Sequence, residues 1–475
     1  MTTTDQHGVV ISSTGPEALT HYDAAIDEIL HFRPAVLDEL AAVIAADPQM
    51  PMAQILSAYL GVMGTEPDDS RQARQGFAAW WAGVDADELT FVEAAHADAV
   101  QCWLVGDLRG CARRLRRLSR DEPRDALALL MGHQLDFFTG DATTLRDRVG
   151  GALSAWTPDD PHRAQVLGMY AFGLEEAGHY DRSEDVGLES VSLDGQDVWG
   201  IHAVVHTYEM QGRFGDGLSY LDARTPNWST GNFLSVHNWW HRCLYALETG
   251  DTARILQIYD ASIHNDDSSK VAMEMLDAAA LLWRLTLEGD DQSSRWAALA
   301  DAWDGTVDEP FYAFNDMHAV MSFVGAGRFA DAQALIDGRE AWLLSNPSPS
   351  QTNVAMTRDV GLPVCQGIVA FGQGRYSDVV DLLAPIRYQL NEFGGSHAQR
   401  DAVQRTLLEA ALRCDRLDLA RTLVSERINL RPCSPYNWLK QAALADRLGQ
   451  QAAAVLARDE ASRLAAAGGS HPTST

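Results

Sequence analysis

Tyr208-Glu-Met-Gln-Gly-Arg213 closes one run of helix-periodic apolar residues, and Ala246-Leu-Glu-Thr-Gly-Asp251 closes the next. Glycine takes the left-handed backbone that ends a helix at little cost, so each phrase predicts a helix, a glycine stop and a second helix. Three earlier copies are Cys102-Trp-Leu-Val-Gly-Asp107, Asp136-Phe-Phe-Thr-Gly-Asp141 and Leu174-Glu-Glu-Ala-Gly-His179. Three later ones are Leu285-Thr-Leu-Glu-Gly-Asp290, Ser322-Phe-Val-Gly-Ala-Gly-Arg328 and Ala370-Phe-Gly-Gln-Gly-Arg375. The glycines at 106, 140, 178, 212, 250, 289, 327 and 374 are separated by 34, 38, 34, 38, 39, 38 and 47 residues. A period near 34 is that of tetratricopeptide helix pairs. The expected fold is therefore all-α: a tetratricopeptide-like helix-turn-helix repeat solenoid wound as a right-handed superhelix.

The rest of the chain agrees with a solenoid. At 475 residues it is long for one compact core, and 46% hydrophobic residues suffice for a continuous one. Strand signals are nearly absent. Pro and Gly clusters at Trp156–Pro161, Thr225–Pro226 and Asn346–Ser350 read as inter-repeat loops, the last inside the widest gap. Expected boundaries are a disordered tail over 1–15, one repeat domain over 16–464 and a flexible tail over 465–475.

A net charge of −29 repels polyanions, so nucleic acid and anionic membrane surfaces are disfavoured partners. No apolar run is long enough for a membrane span, and the first fifteen residues lack a signal-peptide core. Six cysteines show no C-x-x-C pair or disulfide framework, which fits a reduced cytoplasm.

The chemistry concentrates in two consecutive first helices. In Ile201-His-Ala-Val-Val-His-Thr-Tyr-Glu-Met210, His202, His206 and Glu209 fall at i, i+4 and i+7, on one helical face. His237-Asn-Trp-Trp-His241 repeats the i, i+4 pair in the next repeat. First helices of adjacent repeats lie side by side, so the faces are expected to meet. His202, His206, Glu209, His237 and His241 have the ligand types of a zinc or non-haem iron site. Glu209 is either a ligand or the acceptor that fixes a histidine tautomer. Trp199, Tyr208 and Trp240 are candidate walls of a binding pocket, and Asp316 and His318 join it only if the superhelix is tightly wound. Glu176, on the repeat upstream, is with Glu209 a candidate acid–base group. The competing expectation is a hydrogen-bonded polar network without metal.

Gly394-Gly-Ser-His-Ala-Gln-Arg-Asp401 carries a capping box in Ser396 and Gln399. Its His397 and Arg400 are further binding candidates, the arginine suited to a carboxylate. Taken with the two histidine segments, this block resembles the tetratricopeptide repeat protein 38 family, also called StaR-like, over roughly residues 20 to 460. The resemblance implies an all-helical repeat fold. Some bacterial members of that family accompany natural-product gene clusters, where a hydroxylating role has been suggested. It supplies no site residues.

Three functions follow. One is a metal-dependent enzyme, using Fe or Zn to hydroxylate or hydrolyse a small molecule. A second is a non-catalytic scaffold holding a peptide or protein in its concave groove. The third is a metal-free pocket with histidine acid–base chemistry. The chain has no Walker loop, no G-x-S-x-G and no H-E-x-x-H.

Overall fold

The eight repeat glycines all sit in left-handed backbone, with φ between +66° and +93°. At Gly212 the closing geometry is complete. The Gly212 N–H donates to the Glu209 carbonyl at 3.0 Å, and the Arg213 N–H donates to the Tyr208 carbonyl at 2.8 Å. These bonds satisfy the last carbonyls of the first helix and turn the chain into the second. Asp415 (φ +60°) and Gly449 (φ +71°) make the same turn in two further pairs.

The computed structural model describes residues 2–468. It is an all-α helical-repeat solenoid. Before the histidine-bearing repeats come the pairs Phe91–Leu104 with Leu108–Asp121, Ala126–Phe138 with Ala142–Ala152, and Arg163–Glu176 with Tyr180–Leu193. The histidines lie on Val198–Gln211, paired with Phe214–Ala223, and on Ser235–Thr249, paired with Thr252–Ile258. Ala272–Leu287 with Ser293–Trp303, and Ala313–Gly325 with Phe329–Leu344, follow. Two C-terminal pairs begin at His397–Arg413 and Pro435–Arg447. The widest gap between glycines holds Thr352–Ala355 and a π-helical turn, Met356–Gly361, ahead of Leu362–Gly372. This insertion reaches back along the solenoid, where the Thr352 N–H donates to the Gly106 carbonyl at 2.8 Å.

Two features differ from the sequence expectations. The first fifteen residues, expected as a tail, contain an antiparallel hairpin, Thr2–Thr4 with Val10–Ser12. Val9 and Ile11 are buried, and the Ser12 N–H donates to Glu93 at 2.6 Å. Two apolar side chains and one charged acceptor hold a segment too short to show a periodic pattern of its own. The tail expected over 465–475 lies outside the described residues from 469 on, and Ala465 and Ala466 belong to the final helix, Gln451–Ala466.

The winding closes the interior. Trp283 Nε1 donates to Thr406 Oγ1 at 2.9 Å, Arg284 to the Ala398 carbonyl at 2.6 Å, and Arg405 to Glu248 at 3.1 Å. The His397 N–H donates to Glu176 at 2.8 Å. First helices of the central repeats thus meet the first helix of a C-terminal repeat across the interior. In the stretch around the histidines, the inner face is covered by the chain itself.

Candidate metal centre

Every residue from Val198 to Met210 is buried, so this helix presents its polar side chains to protein and not to water. His202 and His206 stand one above the other on it, ring centroids 4.4 Å apart. The Ser235–Thr249 helix brings His237 to 4.9 Å from His202 and His241 to 4.3 Å from His206. One nitrogen from each of the four rings lies within 4.8 Å of one from every other. The expectation that the two i, i+4 pairs converge is met.

The carboxylates divide the four rings into two kinds. His241 Nδ1 lies 2.9 Å from Glu209 Oε2, and His237 Nδ1 lies 2.7 Å from Asp277 Oδ2. A carboxylate at Nδ1 leaves Nε2 as the free lone pair, the tautomer a metal ligand needs. Those two Nε2 atoms are 3.2 Å apart. His202 and His206 have no partner for either ring nitrogen. His206 Nδ1 has only Glu175 Oε2 nearby, at 3.6 Å. Burying an imidazole without partners costs free energy, and here two are buried side by side.

Electrostatics keeps three of the rings, those of His202, His206 and His241, neutral. Burial, followed by the neighbouring imidazoles, holds His202 and His206 well below the usual histidine range. Burial, then His237 and Arg284, does the same to His241. Neutral rings keep their lone pairs available at physiological pH. Burial lifts the Glu209 carboxyl to about 7. Burial and the adjacent Glu176 lift Glu175 well above the carboxylate range. Each charge that is costly alone becomes favourable beside a cation.

Glu209, expected as a ligand or as the acceptor that fixes a histidine tautomer, makes its contact with His241 Nδ1. Trp199 and Trp240 are walls of the site. Trp199 packs on His202 at 5.0 Å and donates from Nε1 to His133 Nε2 at 3.1 Å. Trp240 stacks on His237 at 5.2 Å. Tyr208 points elsewhere, against the Arg213 guanidinium 4.4 Å away, because it lies on the opposite face of its helix from His202 and His206.

Two expected members are drawn off by other partners. Both Asp316 oxygens are held by Arg339, at 2.8 and 2.9 Å, in a buried pair that ties the two helices of one repeat together. The same device recurs in Asp136 and Arg148. His318 Nδ1 lies 2.8 Å from the Phe314 carbonyl, and the residue is not one of the four clustered histidines. His397 and Arg400 do close on a carboxylate, but it is the protein's own. The His397 N–H and Arg400 Nη2 bind Glu176, at 2.8 and 3.2 Å. Ser396 and Gln399 form the expected capping box.

Sequence reasoning passed over Asp277, 40 residues beyond His237 and the second of two carboxylates, after Glu274, in the largely apolar run Ala272–Leu287. It also passed over Arg284, which lies 5.4 Å over the Trp240 ring and is pushed by burial to about 10. A charged residue inside an otherwise apolar first helix was the available signal for both.

His206, His241 and Glu209 are closed to solvent or nearly so, whereas the His237 side chain is 15% exposed. His237 is the most exposed of the four histidines.

No protein-family model matches the chain. Among solved structures it is similar to one described as "Structure of Naa15/Naa10 bound to HypK-THB", with 13% sequence identity and a TM-score of 0.22. The match covers 94% of this chain and 64% of that one, so the chain spans less than two thirds of the length of its neighbour. A superposition this loose bears on neither the site nor an activity.

Proposed function

We propose that the protein is a metal-dependent enzyme in which His202, His206, His237 and His241 hold a divalent transition-metal ion, zinc or ferrous iron, beside a small-molecule substrate. The observation that carries this is the pair His202 and His206, buried with four ring nitrogens unpartnered and facing two further imidazoles. Four imidazole nitrogen donors suit the zinc and iron class. When bound, such an ion polarises an oxygen-bearing substrate or activates water or dioxygen, zinc favouring hydrolysis and iron hydroxylation.

The chain's own groups do the rest. Asp277 and Glu209 orient His237 and His241 from behind and make them better donors. Of the two carboxylates expected to do acid–base work, Glu209 has the stronger support. It touches His241 Nδ1 at 2.9 Å, and burial raises its carboxyl to about 7. Glu176 is a fixed carboxylate, anchored by His397 and Arg400. The Trp199 and Trp240 walls exclude water, and a substrate reaches the centre past His237.

Membership of the tetratricopeptide repeat protein 38 family, one repeat domain over 16–464 and a cytoplasmic setting belong to the same proposal. All six cysteines are free, in keeping with a reducing compartment. No helix among the described residues is long and apolar enough to cross a membrane. A scaffold function has less support, because the chain's own C-terminal repeats cover the inner face at this point.

Elemental analysis of the purified, untagged protein beside a His202→Ala/His237→Ala double variant tests the proposal. Stoichiometric zinc or iron in the parent, lost in the variant, is expected. No metal in either, even after incubation with each ion, overturns it and leaves the peptide- or protein-binding solenoid.

A further inference from the structure

Glu175 has no role in the four-histidine centre. It is completely buried, and neither carboxylate oxygen has a hydrogen-bond partner. An outer acceptor behind His206 would sit at hydrogen-bond distance, as Glu209 and Asp277 do behind their histidines. Its separation from His206 Nδ1 is instead 3.6 Å, too long for that bond. Two donors bound to one ion by bonds of about 2.1 Å at a tetrahedral angle stand about 3.4 Å apart. The gap suits a shared ligand better than a shared proton.

Glu176 supplies the third group. One donor atom each from Glu175, Glu176 and His206 lies within 4.8 Å of the other two. Glu176 is preset by the His397 N–H and by Arg400, and a carboxylate that accepts two hydrogen bonds keeps lone pairs for a metal. Arg400 offsets one of the two carboxylate charges and leaves the other for a cation. His206 belongs to both ligand sets, and both of its ring nitrogens are unpartnered; a neutral imidazole offers one lone pair, so bridging two ions takes His206 as the imidazolate, its N–H proton released to solvent when the second ion binds.

We propose that Glu175, Glu176 and His206 bind a second divalent ion of the zinc, ferrous or manganous class, making a two-metal centre that shares His206. The second site rests on the four-histidine site being a metal site. Mixed carboxylate and imidazole donors suit these ions. Two adjacent ions hold the attacking and leaving oxygens of a substrate together, where one ion polarises a single oxygen.

The test is metal stoichiometry on the full chain, stripped with chelator and reloaded with Mn(II) or Zn(II). Two ions per chain are expected in the parent, one in Glu175→Gln and one in His237→Ala. One ion in the parent, lost in His237→Ala, overturns the second site while the four-histidine centre stands. No bound ion overturns both. Two ions in both the parent and Glu175→Gln place the second elsewhere and overturn the assignment. Should Glu175→Gln fail to fold by circular dichroism, the EPR spectrum of the Mn(II)-loaded parent decides. Adjacent Mn(II) ions broaden each other's six-line signal, and an unbroadened spectrum at two ions per chain overturns the proposal.

Discussion

Glu209 Oε2 lies 2.9 Å from Nδ1 of His241, and both side chains are buried. Glu209 thereby sets which nitrogen of His241 faces the other three rings. Glu209→Gln keeps the shape and removes the charge. It is expected to weaken metal binding by about 10–100-fold, the usual cost of losing an outer carboxylate. Chelator competition on the loaded protein measures this, and an unchanged affinity would rule out the orienting role.

His202 distinguishes a ligand from a structural residue. Its ring stacks 5.2 Å from Phe172 and its nitrogens have no partners. His202→Phe removes two buried unpaired polar atoms, each costing about 1–3 kcal/mol. Metal-free His202→Phe is expected to unfold at or above the parent's urea midpoint while losing the metal. A clear loss of stability without metal would mean that His202 is held by a network of the fold.

Asp316 belongs to the scaffold in this structure. Asp316→Ala leaves the Arg339 guanidinium buried without its carboxylate and is expected to cost about 3–5 kcal/mol. Metal content per folded chain should not change. A variant of normal stability with altered metal content would return Asp316 to the site.

Two repeat glycines separate local backbone cost from closure of the superhelix. A Cβ on Gly250 meets no atom within 4 Å, whereas one on Gly140 would overlap the Asn391 carbonyl oxygen. Gly250→Ala pays only for the left-handed backbone, about 1–2 kcal/mol. Gly140→Ala must also push the 390s segment off the turn at Gly140, so its melting temperature should fall further. Equal losses would show that this contact contributes nothing to closure.

The N-terminal hairpin should respond to pH. His7 Nε2 lies 2.9 Å from His162 Nδ1, His162 Nε2 lies 2.9 Å from Asp27 Oδ1, and His31 Nε2 lies 2.8 Å from Asp194 Oδ2. Burial lowers His31, but its hydrogen bonds to Asp194 and the Asp27 carbonyl outweigh it and leave the pKa raised. Hydrogen bonds from His162 and His31 lower Asp27 and Asp194. The raised histidine contributes fully below its unfolded pKa of about 6.5 and loses that contribution as pH rises through its folded value. The lowered carboxylates contribute above about 3.9 and lose it as pH falls. Amide exchange in residues 2–12, corrected for its intrinsic rate, should be slowest between about pH 4 and 6.5. His31→Gln should flatten the rise above that window, and an unaltered profile would remove His31 from the attachment.

The repeat turns and the four histidines were legible because both are short-range patterns. A left-handed glycine ends a helix wherever it lies, and residues at i and i+4 share a face in any helix. Asp277, Glu175 and the pairing of Asp316 with Arg339 were not legible. Each acquires its meaning from a partner 23 to 40 residues away. The hairpin at residues 2–12 escaped for a related reason, since its burial is supplied by helices and not by its own periodicity.

By itself, the sequence determined an all-α repeat chain, the place of eight of its turns and a face of His202, His206, His237 and His241 on adjacent first helices. Those are consequences of backbone sterics and helical period, which neighbouring residues decide. Only the tertiary structure decided that Glu209 and Asp277 stand behind two of the rings and that Glu175 faces His206 unpaired. It alone decided that the C-terminal repeats, through Ala398, Arg400 and Arg405, close over the centre. The angle between successive repeats sets those distances, and it accumulates from packing along the whole solenoid, which no single stretch encodes.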